Sequence, residues 1–380
     1  MATLGAYRIF GRRGGGGPPA RRRGQMGALM SAALALGVVL PVVSVGAAGA
    51  AISATAANAA EVNIYSYRKE ALIRPQLEAF RKATGIAYNL ITGSAGGLLQ
   101  RLRNEGINSP ADILFTTDAG RLIRAAKLGL LQQVKSEIIA RNVPARLRDP
   151  DGYWFGLGVR ARVIFYNVAR VKPAELSTYE ALTDAKWKGR LLVRSSNNIY
   201  NQSLLASLIE HHGMAAAETW AQGIVANFAR RPQGGDTDQI RAIAAGEGDI
   251  AIANTYYFGR LLASKRKRDR RVTDRVAVFW PNQPGPGIAG RGAHVNISGA
   301  GVTKSAPHRD AAIRLLEFLT GEEAQRIYAT LGHEMPVRPG VAVGPIVESM
   351  GRFKADGLDL TALGRHNADA VKIFDRVGWR

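Results

Sequence analysis

Short apolar segments typical of β-strands alternate with helical patterns along most of this chain, and this alternation limits the folds that it can adopt. Residues 62–65 have the pattern of a strand, 73–83 that of a helix ending at Gly85, and 86–91 that of a second strand. Strands separated by helices of this length favour parallel pairing through right-handed crossover connections. The alternation therefore predicts an α/β fold in which helices flank mostly parallel sheets.

The alternation continues to the end of the chain with two interruptions, a turn-rich segment at 149–154 and a Gly- and Pro-rich connection at 281–292. We predict two α/β lobes with a ligand cleft between them, where loops at strand ends would hold the ligand. The first lobe would comprise residues 61–160 and 286–334, and the second 161–285 and 335–380. Further strands are predicted at 111–115, 159–167, 190–194 and 249–253, and further helices at 93–104, 121–127, 178–181, 203–212, 236–245, 257–265, 308–320, 322–331 and 361–377.

The first 60 residues differ in composition from the rest and predict an export signal. Six arginines and no acidic residue accompany a long apolar stretch, which ends in the small residues Ala57-Asn58-Ala59. Such an ending suits signal peptidase, so we expect cleavage near Ala59 or Ala60 and a periplasmic mature protein. An uncleaved membrane anchor is the alternative. Two lobes, export and the absence of cysteine together predict a periplasmic solute-binding protein.

The predicted mature chain is strongly basic. Cleavage removes six of the 51 basic residues and none of the acidic ones, which leaves 45 basic against 30 acidic residues and a formal net charge of +15. Such a charge suits anionic partners, including nucleic acids. The densest basic run, KRKRDRR at 265–271, lacks interleaved aromatic residues and a recognisable nucleic-acid-binding fold, so we interpret it as a solvated helix end. No nucleic-acid partner is expected.

The sequence lacks the motifs of common enzymes. It has no G-x-S-x-G elbow, H-E-x-x-H motif, P-loop or Rossmann fingerprint. Among its six histidines only His211 and His212 are adjacent, and neighbours on a helix face different directions. Asp236 and Asp238 flank a predicted helix start and are interpreted as caps. We therefore expect a binding protein rather than an enzyme.

Three tyrosines lie at predicted helix starts, where they suit metal chemistry. Tyr200 precedes the predicted helix cap Asn201, and Tyr256 and Tyr257 follow a predicted strand. The positive end of a helix favours an anion and would help a phenol to ionise. Phenolates are hard oxygen ligands that match a hard trivalent cation such as Fe³⁺. On this chemistry alone, surface tyrosines or rings that stack on an organic ligand remain an alternative.

The mature sequence resembles the periplasmic ferric-ion-binding proteins of bacterial iron ABC transporters along essentially its whole length. The resemblance is carried by ordered blocks: EVNIYSYRKEALIRPQLEAFRKATGI (61–86), SPADILF (109–115), WFGLGVRARVIFYN (154–167), NNIYNQSL (197–204), ARRPQGGDTDQIRAI (229–243), NTYYFG (254–259) and VNISGAGV (295–302). In the branch of this family with three tyrosine ligands, iron is bound by the tyrosine of N-x-Y-N and by both tyrosines of N-x-Y-Y. The resemblance therefore implies Tyr200, Tyr256 and Tyr257 as metal ligands.

The amino-terminal ligands of other branches of that family are not present here in their usual form. Lys69 stands where those branches have a histidine, and Thr117, next to Asp118, stands where some have a glutamate. The resemblance implies that a synergistic anion such as carbonate fills the open positions on the iron. It implies Arg68 as the residue that holds this anion, with contributions from Arg160 and Lys69, and a planar guanidinium suits a planar oxyanion.

The resemblance implies that the protein, as a monomer, binds Fe³⁺ in the periplasm and delivers it to an inner-membrane ABC permease. The alternative hypothesis is a related solute-binding protein for a small anion or for an organic solute of the phosphonate or polyamine type. In that case the tyrosines would stack on the solute or hydrogen-bond to it, and Arg68 would bind an acidic group.

Overall fold

The computed structural model describes residues 60–380, so the predicted export signal lies, except for its last residue, outside the described part of the chain. The described residues contain eight strands, β1 to β8 in chain order: Glu61–Ser66, Ala87–Thr92, Ile113–Thr117, Phe155–Asn167, Leu191–Leu192, Ile250–Asn254, Val276–Phe279 and Val295–Val302. The six predicted strands are confirmed with shifted ends, and β7 and β8 were not predicted.

Fourteen α-helices and several short 3₁₀ helices connect these strands. The α-helices of the described part, α1 to α14 in chain order, are Glu70–Thr84, Ala95–Glu105, Ala119–Lys127, Glu137–Asn142, Ile199–His212, Met214–Ala226, Asp236–Ala245, Thr255–Leu262, Lys267–Thr273, Arg309–Thr320, Glu322–Gly332, Pro345–Glu348, Thr361–Arg365 and Asn367–Val377. The short helix predicted at 178–181 is a 3₁₀ helix, Glu180–Thr183. Among residues 60–380, no helix has the length and apolar character needed to cross a membrane.

The strands are hydrogen-bonded in the order β2-β1-β3-β8-β4-β6-β5, and β7 also pairs with β4. Strand β4 is the longest strand, and it connects the two halves of this strand order. Its first part, up to Ala161, pairs with β8, and its second part, from Arg162 onward, pairs with β6 and β7. The same strand therefore contributes to both halves of the fold.

The prediction of mostly parallel sheets is wrong for the described strands. Pairs β1·β2, β1·β3 and β5·β6 are parallel, whereas β3·β8, β4·β8, β4·β6 and β4·β7 are antiparallel. The strand–helix alternation indicates that helices separate the strands. It does not indicate the direction in which a long connection, such as the one that leads into β8, returns to the sheet.

The helix that carries Tyr200 begins earlier than predicted. The side chain of Asn198, not Asn201, caps α5 and accepts a hydrogen bond from the Tyr200 backbone N–H at 3.0 Å. Tyr200 therefore lies inside the first turn of α5 rather than before it. Tyr256 and Tyr257 lie in the first turn of α8, directly after β6 ends at Asn254. All three tyrosines are thus at helix N-termini.

Candidate metal site

The three tyrosines predicted as metal ligands lie together in the structure. The Tyr256 hydroxyl donates a hydrogen bond to the Tyr200 hydroxyl at 3.1 Å, and the ring centroids of Tyr256 and Tyr257 are 4.2 Å apart. Tyr200 and Tyr256 are buried, whereas Tyr257 is partly exposed. Successive residues on a strand point to opposite faces, but successive residues on a helix are only about 100° apart. The start of α8 therefore allows two adjacent phenols to lie side by side.

The surroundings of these phenols shift their pKa values in opposite directions. Burial alone would raise the pKa of Tyr200, but the Arg160 guanidinium and hydrogen bonds from two neighbouring hydroxyls outweigh this effect and lower that pKa below its usual value of 10.0. Burial, and next the charge on Tyr200, raise the pKa of Tyr256 and of Tyr257. Tyr200 therefore loses its proton more readily than Tyr256, which agrees with Tyr256 as the donor in the hydrogen bond between them.

Three arginines lie over the faces of the phenol rings. Arg160 and Arg194 are 5.3 Å and 5.6 Å from the centroid of Tyr200. Arg260 is 4.9 Å from the centroid of Tyr256 and also lies over the neighbouring tyrosine. Cations at these distances are attracted by the aromatic faces and stabilise negative charge on the oxygens. Three guanidinium groups therefore lie against the phenol cluster.

One tyrosine of the iron-free protein is expected to ionise below the usual tyrosine range near 10. The reason is that Arg160 stabilises the Tyr200 phenolate. An ultraviolet titration of phenolate absorption would show this early step in the unmodified protein and in Tyr257→Phe, but not in Tyr200→Phe. An early step of unchanged size in Tyr200→Phe would contradict the assignment.

A buried network anchors the helix starts that carry the tyrosines. Arg162 Nη1 donates to Asp236 Oδ2 at 3.0 Å and to Asn254 Oδ1 at 3.1 Å, and its Nη2 donates to Asn201 Oδ1 at 2.7 Å. The Asn254 backbone N–H also donates to Asp236 Oδ2, at 2.8 Å. Asn201 directly follows Tyr200, and Asn254 lies two residues before the tyrosine pair. A single guanidinium therefore links the start of α5 to the start of α8.

The two aspartates at the start of α7 have different roles. Asp238 is a cap as predicted, because its Oδ2 accepts a hydrogen bond from the Gly235 backbone N–H at 2.7 Å. The interpretation of Asp236 as a cap is wrong: its carboxylate is fully buried, 3.0 Å from Arg162 and 3.5 Å from Arg194. A buried carboxylate needs such cationic partners, since an unpaired charge in the interior is highly unfavourable.

Arg160, a predicted anion-binding residue, is buried beside Asp118. Its Nη2 lies 3.5 Å from Asp118 Oδ2, which also accepts from Asn296 Nδ2 at 2.9 Å, and Asp118 Oδ1 accepts from Ser203 Oγ at 2.7 Å. Asp118 has a φ of 84°, a region that non-glycine residues adopt only when their surroundings enforce it. Arg160 Nε and Nη1 have no hydrogen-bond partner among residues 60–380.

Arg68, the other buried arginine predicted to hold the anion, is paired with Glu334, which no sequence pattern indicated. Arg68 Nη1 lies 3.0 Å from Glu334 Oε1 and 3.2 Å from Ser298 Oγ, and its guanidinium is 4.6 Å from the ring centroid of Tyr328. In the described chain, Arg68 Nε and Nη2 and Glu334 Oε2 lack partners. Burial would lower the pKa of Arg68, but the charge of the neighbouring Glu334 carboxylate raises it above its usual value, so this guanidinium stays charged.

Lys69 is placed apart from this buried cluster. It is exposed and immediately precedes α1, and the neighbouring Glu70 pairs with Arg74 on the helix surface. The structure therefore brings Arg160 against the phenols, pairs Arg68 with Glu334, and leaves Lys69 at the surface.

The histidines are placed as structural residues. His211 and His212 pair with the carboxylates of Asp356 and Glu180, each at 2.8 Å. Burial lowers the pKa of His294 to about 3, so this imidazole is neutral at pH 7. Within residues 60–380, no group of three or more His, Cys, Asp or Glu is arranged to hold a metal ion. The candidate metal site therefore rests on the tyrosines.

Comparison with known proteins identifies the family. The bacterial extracellular solute-binding proteins match this chain over residues 108–357. Iron uptake protein A1 of Synechocystis sp. (strain ATCC 27184 / PCC 6803 / Kazusa) is 50% identical over 331 residues, which cover 87% of this chain and 91% of that protein. The chain therefore belongs to the bacterial extracellular solute-binding protein family and, within it, to the periplasmic ferric-ion-binding proteins that its sequence resembles.

Solved structures agree with this assignment. The Trichodesmium protein IdiA (FutA), in complex with iron and citrate ligands, is 50% identical, with a TM-score of 0.81 and coverage of 84% of this chain and 100% of that chain. Apo ferric ion-binding protein A of Pasteurella haemolytica is 40% identical, with a TM-score of 0.78 and coverage of 84% and 98%. The α/β solute-binding fold is confirmed, and the chain is a solute-binding protein rather than an enzyme.

Proposed function

We propose that this protein binds Fe³⁺ in the periplasm through the phenolates of Tyr200, Tyr256 and Tyr257. The observation that carries the proposal is the buried contact between two phenol hydroxyls from separate helices, 3.1 Å apart, with the third phenol ring beside them. Three phenolates balance the charge of Fe³⁺, and hard oxygen donors suit it. The names of the related iron uptake and ferric ion-binding proteins support iron as the bound solute.

We further propose that a small oxyanion, such as carbonate, completes the coordination of the iron. A polar crevice beside the phenols is lined by Asp118, Arg160, Arg162, Tyr200, Asn254, His294 and Asn296; it has no room for a water molecule in this conformation, so an anion would enter it only when the lobes separate. Arg160 Nη1 and Asn254 Nδ2 are buried there without hydrogen-bond partners in residues 60–380. Buried unpartnered donors are unfavourable, and a planar oxyanion would accept hydrogen bonds from them. Arg68, which lies beside Glu334, and Lys69, which lies at the surface, would each contribute positive charge that attracts the anion.

The proposed site lies between two lobes, residues 61–160 with 286–334 and residues 161–285 with 335–380. The division of β4 between two sets of strand partners supports this boundary. The packing of the helices supports this boundary as well. Helices α10 and α11 lie against α1 in the first lobe, and α14 lies against α5 and α6 in the second lobe. Phenols would come from the second lobe and Arg68 from the first.

Polar contacts between these proposed lobes would retain the metal. Thr117 Oγ1 lies 3.4 Å from the Tyr200 hydroxyl, and Ser203 Oγ donates to Asp118 Oδ1 at 2.7 Å. Separation of the lobes would break both contacts and open the site. We propose that opening at an inner-membrane ABC permease releases the iron for transport.

Iron binding is expected to release protons, so the affinity should fall as the pH falls. The pKa of Tyr256 and of Tyr257 lies above 10.0, which means that both phenols are protonated in the iron-free protein at neutral pH. Metal ligands must lose their protons, so binding should release about two protons from these phenols. This release would be measured as the fall in pH when chelated Fe³⁺ and bicarbonate are added to the protein in weakly buffered solution. Equal release by the double variant Tyr256→Phe, Tyr257→Phe would contradict the proposal.

A further inference from the structure

A second cavity lies next to the phenol cluster and contains none of the three tyrosines. Its volume is about 340 Å³, enough for a small organic molecule. It is lined by residues of β3, α2 and α3 together with Tyr67, Asn197, Ile199, Gln202 and Asn367. None of the roles assigned above to the phenol cluster or to the polar crevice uses this cavity.

One wall of the cavity carries two cationic side chains. Arg121 and Arg124 are three residues apart on α3 and therefore lie on the same helix face. Arg121 is held in place: its Nη1 donates to the Thr117 carbonyl and to Thr117 Oγ1, each at 3.1 Å, and its guanidinium lies 4.6 Å from the ring centroid of Tyr67. Because the Arg121 side chain is already fixed in position, it would lose little conformational entropy on binding an anion.

A buried hydroxyl on the cavity wall has no hydrogen-bond partner. Thr116 is only 3% exposed, and its Oγ1 is unpartnered among residues 60–380. Thr116 and Leu114 are two residues apart on β3, so they share the face that lines the cavity. A buried hydroxyl without a partner is unfavourable, and a ligand oxygen in the cavity would satisfy it.

The rest of the lining combines helix N-termini with apolar side chains. Helix α2 begins at Ala95 and helix α5 at Ile199, and both residues line the cavity, so the positive ends of two helix dipoles reach it. Leu98, Leu99 and Leu114 supply apolar surface. An inorganic anion would leave this apolar surface unused, whereas an organic anion with an apolar body would cover it.

We propose that this cavity is a second binding site, for a small organic carboxylate with an apolar body such as an aromatic acid. The carboxylate binds to Arg121 and Arg124, one of its oxygens accepts a hydrogen bond from Thr116 Oγ1, and the apolar body packs against the leucines. The lining residues from Tyr67 to Arg124 belong to the first proposed lobe, whereas Asn197, Ile199, Gln202 and Asn367 belong to the second, so an occupant contacts both lobes.

The test is isothermal titration of the iron-free protein with benzoate, with phosphate and with phenol. Benzoate is expected to bind with a Kd near or below about 1 mM. Phosphate, which lacks the apolar body, and phenol, which lacks the carboxylate, should each bind at least about tenfold more weakly. Phosphate that binds as tightly as benzoate would overturn the assignment to an organic carboxylate.

Two variants locate the binding. Thr116→Val removes the hydroxyl with little change of shape, and Arg124→Gln removes an exposed charge; each should weaken benzoate binding about tenfold. Arg103→Gln, an exposed arginine on α2 outside the cavity lining, is the matched control and should leave it unchanged. Thermal melts would check that all three variants fold. No benzoate binding, equal binding by all variants, or one-for-one displacement by bicarbonate would overturn the proposal.

Discussion

Replacing Tyr256 by phenylalanine is expected to weaken Fe³⁺ binding by more than about 100-fold, because loss of a residue that merely supports a metal ligand already weakens binding by about 10- to 100-fold. Tyr256 is buried and central to the cluster, since its hydroxyl contacts Tyr200 and its ring lies against Tyr257. Competition with a chelator of known affinity would measure the change.

Tyr166→Phe is the matched control for this experiment. Tyr166 is also a buried tyrosine, on β4, but it lies in the stretch of that strand that pairs with Ile250 at the far end of β6 from the tyrosine pair. Its replacement should leave the iron affinity unchanged. If Tyr256→Phe and Tyr166→Phe bound Fe³⁺ equally well, the phenol cluster would not be the iron site.

Asp236→Asn is expected to lower the free energy of unfolding by about 3 kcal/mol, because it leaves the Arg162 guanidinium buried without its carboxylate. Arg162 and Asp236 are 2% and 0% exposed, so solvent does not screen the pair. Iron affinity should fall as well, since the same network holds Asn201 and Asn254 next to the tyrosines. Urea unfolding of the iron-free variant would measure the first effect, and chelator competition the second.

Asp238→Asn is the control that distinguishes loss of the buried Arg162–Asp236 ion pair from a general loss of helix stability. Asp238 is two residues away on α7, is exposed, and only caps the helix through the Gly235 N–H. Its replacement should lower the free energy of unfolding by about 1 kcal/mol or less and leave iron affinity unchanged. Equal losses of stability in the two variants would show that the buried ion pair has no special role.

The candidate ligands could be predicted from the sequence because each lies at a local junction with recognisable flanking blocks. The tyrosine pair directly follows a strand, Tyr200 lies in the N-x-Y-N block, and the structure brings the three side chains together. The exact helix start was harder to predict. Asn197, Asn198 and Asn201 are all competent caps, and tertiary contacts decide among them. Asn201 serves the Arg162 network instead.

The partners of the buried arginines could not be predicted from local sequence. Glu334 is 266 residues from Arg68, and Asp236 is 74 residues from Arg162. A carboxylate shows no local pattern that distinguishes a buried ion pair from a surface charge or a helix cap. The antiparallel pairing of β8 could not be predicted from the sequence for a similar reason, because it depends on the path of a long connection rather than on the residues of the strand.

The most direct test of the central claim is the visible absorption spectrum of the purified protein after addition of Fe³⁺ with bicarbonate. Direct phenolate ligation predicts an intense phenolate-to-iron charge-transfer band that gives an orange to red colour. The band should be lost in the variant in which Tyr200, Tyr256 and Tyr257 are all phenylalanine. The account would be contradicted if iron bound without such a band, or if the triple variant kept the band at full strength.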